Sequence, residues 1–287
     1  MRCVVITDSE PDDVAAIMYL LSSGVTIEYI FVIHQDTTWG CLDVIQQTLV
    51  ACDKKIPHES IDGDGSNLLH ALNTTRVDTV ICLANWSPLV TLVRNNPDLT
   101  KTLTVYAYGS VNIRWALKSQ SPDELITAIT SGYKNFYCFE TFWAFGPDRA
   151  NDLSNDSCPE YGVKIRTSDS PCWILLRRLV TDWNVKKASE FEADIEKFMK
   201  KSPSDQKISV YRKIIQRIRH DPLQMVCADI GLVVAMGSNV PGQFQPASIS
   251  FGDNNYTKIN HVESSSFYHY TNGDAGLFGR ELVFRIQ

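Results

Sequence analysis

The chain has 287 residues, 44% of them hydrophobic, enough to bury a large core as one large domain or two small ones; the element pattern below reads as a single domain spanning residues 1–287. Lys and Arg total 27 against 33 Asp and Glu, for a net charge of −6, and the basic residues form no long run (Arg212-Lys213 and Arg217 to Arg219 lie on a helical pattern). This argues against nucleic acid as a main partner, because phosphate neutralisation needs clustered cations.

The first element in chain order is an apolar run at Cys3–Ile6, which reads as a short buried strand of a parallel sheet. It leads into Asp8-Ser9-Glu10-Pro11-Asp12-Asp13, and a helix follows from Asp12 to about Leu21 with Gly24 as its stop. Ligands of such sheets bind beyond the carboxyl ends of the strands. Asp8, Asp12 and Asp13, with Glu10 beside them, are thus expected to crowd one crevice. Carboxylates that close do not all stay ionised without a cation, and hard oxygen donors suit Ca2+ or Mg2+. Asp12 and Asp13 also fit an acidic helix N-terminus. Asp8, on the strand side of the turn, is not needed for capping, which favours a metal or catalytic site.

Ile27–Ile33 reads as the next strand and Leu42–Cys52 as a helix. Val77–Leu83 is a further strand, Pro88 to Asn95 a helix, and Leu103–Tyr108 another strand. This alternation predicts an α/β fold, a mostly parallel central sheet with helices on both faces. The second half is expected to be more helical, with helices at Pro171–Trp183, Ala188–Lys200, Ser204–Arg219 and the strongly apolar Asp229–Met236. Short strand-like pieces at Tyr256–Val262 and Glu281–Ile286 close the chain, and Asn151–Asp156 and Ser202–Gln206 read as polar loops.

No apolar stretch reaches transmembrane length, and no leader pattern precedes the first strand, so no membrane partner is expected. The eight cysteines (Cys3, Cys41, Cys52, Cys82, Cys138, Cys158, Cys172, Cys227) contain no C-x-x-C pair. They predict neither a zinc site nor a disulfide framework, and a reducing, cytoplasmic setting. Neither a phosphate-binding G-x-x-x-x-G-K-S/T loop nor a G-x-S-x-G nucleophile elbow is present. Asp62-Gly63-Asp64-Gly65-Ser66-Asn67 lacks the remaining ligands of a calcium loop and reads as a solvated turn. Of six histidines, His34 and His220 lie near motifs, whereas His261 and His269 fall in the polar C-terminal region.

With sheet and aspartates placed, the sequence resembles the inosine–uridine-preferring nucleoside hydrolases, which open on D-P-G-hydrophobic-D-D-A. Asp8-Ser9-Glu10-Pro11-Asp12-Asp13-Val14 keeps that aspartate spacing. In the same order follow Gln35-Asp36-Thr37-Thr38 for Gly-Asn and small polar residues, and Ser87-Pro88-Leu89-Val90-Thr91 for G-P-L-T-N. Tyr108-Gly109-Ser110 stands for M-G-G, Glu140-Thr141-Phe142 for E-F-N with Pro147 following, and Cys227-Ala228-Asp229 for the late motif with its last metal-binding aspartate.

The resemblance implies one Ca2+ and hydrolysis of an N-glycosidic bond by an activated water, giving free base and ribose in purine or pyrimidine salvage. Asp8 is then general base and metal ligand, and Asp13, Asp229 and the Trp86 backbone carbonyl are further ligands. Asp12, Asp36 and Glu140 contact the sugar, with Phe142 where the family has a sugar-binding asparagine. A small-molecule nucleoside as partner and a homo-oligomer, dimer or tetramer, are implied in the same way. Trp39, Trp86, Tyr108, Phe142, Trp143 and Trp173 are candidate walls for stacking on a base.

Three departures stand out. Glu10 replaces the turn glycine, Phe142 cannot hydrogen-bond a hydroxyl, and Ala228 occupies the place of the histidine that protonates the leaving base. His220-Asp221-Pro222-Leu223 is a competing match to the late motif, which would give those roles to His220 and Asp221. Loss of sugar contacts beside a kept ligand set also admits an impaired metal- and nucleoside-binding protein acting as sensor or assembly partner.

Overall fold

The computed structural model describes residues 1–33, 42–109, 130–140, 152–201, 206–226, 228–237, 240–251 and 257–286. In chain order these carry β1 (Arg2–Thr7), α1 (Pro11–Ser22), β2 (Thr26–Val32), α2 (Leu42–Ala51), β3 (His58–Ser60), α3 (Ser66–Thr75), β4 (Thr79–Cys82), α4 (Ser87–Asn95), α5 (Pro97–Thr100) and β5 (Thr104–Tyr108). Then come β6 (Asn135–Phe139), β7 (Asp152–Leu153), α6 (Pro159–Thr167), α7 (Pro171–Lys201), α8 (Gln206–His220), β8 (Met225–Val226), α9 (Ala228–Met236), β9 (Gln243–Phe251), β10 (Thr257–His261), β11 (Phe267–Thr271) and α10 (Ala275–Arg285).

Among the described residues nine strands form one sheet, in the order β10-β9-β11-β6-β5-β4-β1-β2-β3. Neighbours from β11 through β3 pair parallel, whereas β9 runs antiparallel to both β11 and β10. The expected mostly parallel α/β sheet is therefore present, with an antiparallel margin. β1 lies between β2 and β4, buried on both faces, which is why its sequence is a continuous apolar run. Its side chains alternate between two cores. Cys3 and Val5 join one built with α1, α2, α7, α9 and α10, while Val4 and Ile6 join the other, with α3 and α4.

The strand order reverses between β1 and β4, where successive crossovers leave the sheet in opposite directions. Leu83 N donates to Ile6 O (2.8 Å) and Ile33 N to Thr7 O (2.8 Å) at the ends of the ladders, and beyond them the chains part. That divergence at the carboxyl ends opens a crevice.

Several expectations are corrected. Pro171–Trp183 and Ala188–Lys200 are one 31-residue helix, α7, because nothing between them breaks a helix. The apolar pattern changes there because Trp173, Leu176 and Val180 are buried in the core, whereas farther on Phe191 and Phe198 pack on Tyr211 of α8. Glu281–Ile286 is not a strand but the end of α10, whose N-cap Asp274 accepts from Leu277 N (3.1 Å) and whose Phe278 and Leu282 reach the core. The strand expected at Val77–Leu83 is the fourth in the chain, since β3 and α3 precede it, and the sequence pattern does not reveal β6, β9 or β11. The Asp62–Asn67 turn leads into α3, where Asp64 Oδ1 accepts from Ser66 N (3.0 Å).

Candidate active site

The turn from β1 to α1 places the carboxylates. Ser9 takes a left-handed backbone (φ 58), and its N–H donates to Thr7 Oγ1 (2.9 Å). The tight reversal thus falls at Ser9, one residue before the position where the resemblance expects glycine. Pro11 starts α1 with a φ already suited to a helix, and Glu10, the extended N-cap residue, makes no side-chain cap. Asp12 and Asp13 then occupy the first turn, and both are buried. Asp13 Oδ1 accepts from Thr7 Oγ1 (2.5 Å) and from Asp8 N (3.2 Å), which pins its carboxyl to the strand end.

A second helix completes the cluster. α9 is apolar nearly all round (Ile230, Leu232, Val233 and Val234 are buried) and packs beside α1. Its close approach to β6 depends on Gly231, where an added Cβ would lie 2.3 Å from Phe139 Cε1. Asp229 in its first turn thereby reaches Asp12 and Asp13, with one oxygen from each of the three within 4.8 Å of the others.

Burial is the main cause of a strongly perturbed electrostatic environment, and mutual repulsion adds to it. It lifts Asp13 and Asp229 well above the ordinary carboxylate range, with Asp8 and Asp12 among the repelling charges. Asp12 is raised as well, opposed by its hydrogen bond with Asp229. Asp8 is pushed up to about 6 by burial. Glu10 rises to about 9 through burial and the charges of Asp8 and Asp12, against the pull of Lys187 and Lys186 on α7.

Asp229 Oδ1 is buried and has no hydrogen-bond partner among the described residues. A buried, unsatisfied carboxylate oxygen among carboxylates fits a hard cation: it supplies the missing partner and removes the repulsion. The donor set therefore suits a Ca2+ or Mg2+ ion, held by Asp229, Asp13 and either or both of Asp8 and Asp12.

Asp8, Asp12 and Asp229 open into a cavity of about 390 Å3. Leu83 to Trp86 at the end of β4 and Tyr108 at the end of β5 form one side. Val180, Trp183 and Asn184 of α7 face them, and Gln224, Met225, Val226 and Ala228 close the wall. Trp86 Nε1 donates to Tyr108 O (2.7 Å), joining the two strand ends, and Gly109 packs under the Trp86 ring. Asn184 Nδ2 donates to Pro222 O and Gln224 O (both 2.8 Å) and so fixes the 222–226 segment against α7.

Of the nominated residues, Asp8, Asp12, Asp13 and Asp229 come together. The tightest oxygen triple contains Asp12 rather than Asp8. Trp86 is at the cavity, and its carbonyl accepts the first helical bond of α4, from Val90 N (3.1 Å), with a second lone pair remaining. Glu140 is buried just after β6, without lining the cavity. Asp36 and Phe142 lie outside the described residues, as do Trp39, Trp143 and His34. His220 is exposed at the end of α8, and Asp221 forms an ion pair with Arg166 (2.6 Å); neither lines the cavity. Trp173 is a core residue rather than a wall, fully buried with Nε1 donating to Ile286 O (3.0 Å). Trp183 and Asn184 were missed; their spacing from Val180, i to i+3 and i+4, marks one face of α7.

Neither a protein-family model nor a curated protein matches this chain. Solved structures do. An inosine-guanosine nucleoside hydrolase superposes with a TM-score of 0.63 at 14% identity, over 99% of this chain and 98% of that one. A plant nucleoside hydrolase gives 0.63 at 13% over 99% and 98%, and a purine-preferring ribonucleoside hydrolase from Gardnerella vaginalis gives 0.60 at 11% over 100% and 98%. The chain has the nucleoside-hydrolase fold across nearly its whole length.

Proposed function

We propose that this chain, on its nucleoside-hydrolase fold, hydrolyses the N-glycosidic bond of a nucleoside or nucleoside-like compound to free base and ribose. One observation carries the reading. A buried carboxylate cluster that suits a hard cation sits at one end of a cavity whose other walls are largely apolar and aromatic. A nucleoside has the matching halves, a polyhydroxylated sugar and a flat base, and 390 Å3 lies within the range of small-ligand pockets.

Asp8, Asp13, Asp229 and the Trp86 carbonyl would hold Ca2+, which when bound lowers the pKa of water and fixes sugar hydroxyls. Asp8 takes the proton of the water that attacks the anomeric carbon. Asp12 binds a ribose hydroxyl, with Asp36, Glu140 and Phe142 the further sugar contacts that the resemblance implies. The negative floor stabilises the oxocarbenium character that develops as the base departs. Trp86, Tyr108 and Trp183 give the base flat surfaces. A homo-oligomer, a cytoplasmic setting and a role in nucleoside salvage belong to the same proposal, on the resemblance and composition alone. Incubating the protein with Ca2+ and a panel of ribo-, deoxyribo- and modified nucleosides, with chromatography of the products, tests it. Equal amounts of base and sugar are expected, and no product from any nucleoside would sink it.

Ala228 supports a second reading. At the cavity wall it offers no proton where the resemblance has histidine, as expected of a metal- and nucleoside-binding sensor or assembly partner without turnover. Nucleoside binding by calorimetry with no products distinguishes this case.

A further inference from the structure

We propose that Cys52 and Cys172 are a redox modification site, a thiol pair that closes reversibly to a disulfide and staples α2 to α7. The two sulfurs lie 3.4 Å apart although 120 residues separate them in the chain. A disulfide needs about 2.05 Å, so the sulfurs have roughly 1.4 Å to close. Cys52 sits in the turn after α2 and is partly exposed, while Cys172 is buried in the first turn of α7 and also donates to Ala51 O (3.4 Å). The site thus has an accessible sulfur for an oxidant and a sheltered one to resolve the adduct. The shared hydrogen bond raises the Cys52 pKa and lowers that of Cys172, so Cys52 reacts because it is the accessible sulfur and Cys172 is the readier thiolate to resolve the adduct. The first turn of a helix also attracts negative charge to Cys172.

The oxidant is a low-molecular-weight disulfide. Cys52 loses its proton and attacks one sulfur of that disulfide, expelling a thiolate that takes up a proton. Cys172 then loses its proton and attacks the Cys52 sulfur of the mixed disulfide; the protein S–S bond forms and the second small thiolate leaves and is protonated. Two protein thiols are oxidised and one small disulfide is reduced to two thiols. The staple anchors the first turn of the helix that, about two to three turns later, supplies Val180, Trp183 and Asn184 to the cavity wall. The proposal is independent of the hydrolytic reading.

Oxidised glutathione is added to the full-length reduced protein, followed by acid quenching, denaturation, alkylation and peptide mapping. The expected result is a Cys52–Cys172 cross-linked peptide, with a melting midpoint raised by roughly 5–10 °C and restored by dithiothreitol. Cys172→Ser, or Cys172→Ala if the serine variant folds poorly, is expected to stop at a glutathione adduct on Cys52 with no rise. Two alkylated thiols after oxidation, pairing with other cysteines, or a wild type that stalls at the adduct would overturn the proposal. A cross-link without a rise would overturn the staple.

Discussion

Asp12 and Asp229 stand in the first turns of two neighbouring helices, α1 and α9, and bring carboxylate oxygens within 4.8 Å of each other and of Asp13. Burial raises both groups above the ordinary carboxylate range, and for Asp229 repulsion by Asp12 adds to it. Without a cation the cluster therefore holds protons at neutral pH, and a divalent ion displaces them on binding. Calorimetry of Ca2+ binding at pH 7 in buffers of different ionisation enthalpy is expected to show net proton release. Identical heats in all buffers would rule it out.

The same protons set the stability of the metal-free protein. Asp8 (about 6) and Glu10 (about 9) have folded-state pKa values above their ordinary 3.8 and 4.5. Such groups bind more protons folded than unfolded, so their stabilising contribution is present at low pH and lost as pH rises through the folded values. His269, held down to about 4 by burial and His261, acts only below about its ordinary 6.5. Between pH 7 and 9, in chelator, the melting midpoint is expected to fall, and saturating Ca2+ to flatten the fall.

Asp229→Asn separates repulsion from ligation. The amide can donate to Asp12, and it is neutral without the proton that Asp229 must take up to enter the buried cluster. In chelator the variant is expected to melt a few degrees above wild type, and to lose most of the stabilisation that Ca2+ gives. A variant destabilised in chelator and still stabilised by Ca2+ would contradict this.

Gly109 packs against Trp86 of the cavity wall. An added Cβ would stand 2.6 Å from both Cys138 Sγ and Trp86 Cζ2. Gly109→Ala is expected to cost about 1–3 kcal/mol by overpacking. It should also weaken nucleoside binding by displacing the indole, measured by denaturation and calorimetry together.

Ala228 offers the leaving base no proton. A positioned acid is typically worth about 10²–10⁴-fold, so turnover should depend steeply on the leaving group. 4-Nitrophenyl riboside is expected to react far faster than inosine; equal rates would mean that another residue supplies the proton.

What the sequence reveals follows from how local each feature is. β1 is legible because burial on both faces demands an unbroken apolar run, and the Asp8–Asp13 turn because strand end and helix start are adjacent in the chain. Asp229 is legible through the buried helix it opens. α10 is not, since its Glu281–Ile286 end carries the β-branched and aromatic residues of a strand (Val283, Phe284, Ile286), and the Asp274 cap and the packing of Phe278 decide the matter. Trp183 is hidden because its role depends on where a 31-residue helix crosses the cavity. Cys52 and Cys172 meet only through tertiary packing, which spacing does not encode.

The most direct test of the central claim is sugar release from the best nucleoside of the panel, by wild type with Ca2+, by wild type in chelator, and by Asp8→Asn with Ca2+. The account predicts release in the first case alone, with Asp8→Asn still binding Ca2+ and losing at least 10²-fold in rate, on the order expected for a general base. Equal release in chelator, or an Asp8→Asn variant as fast as wild type, would contradict it.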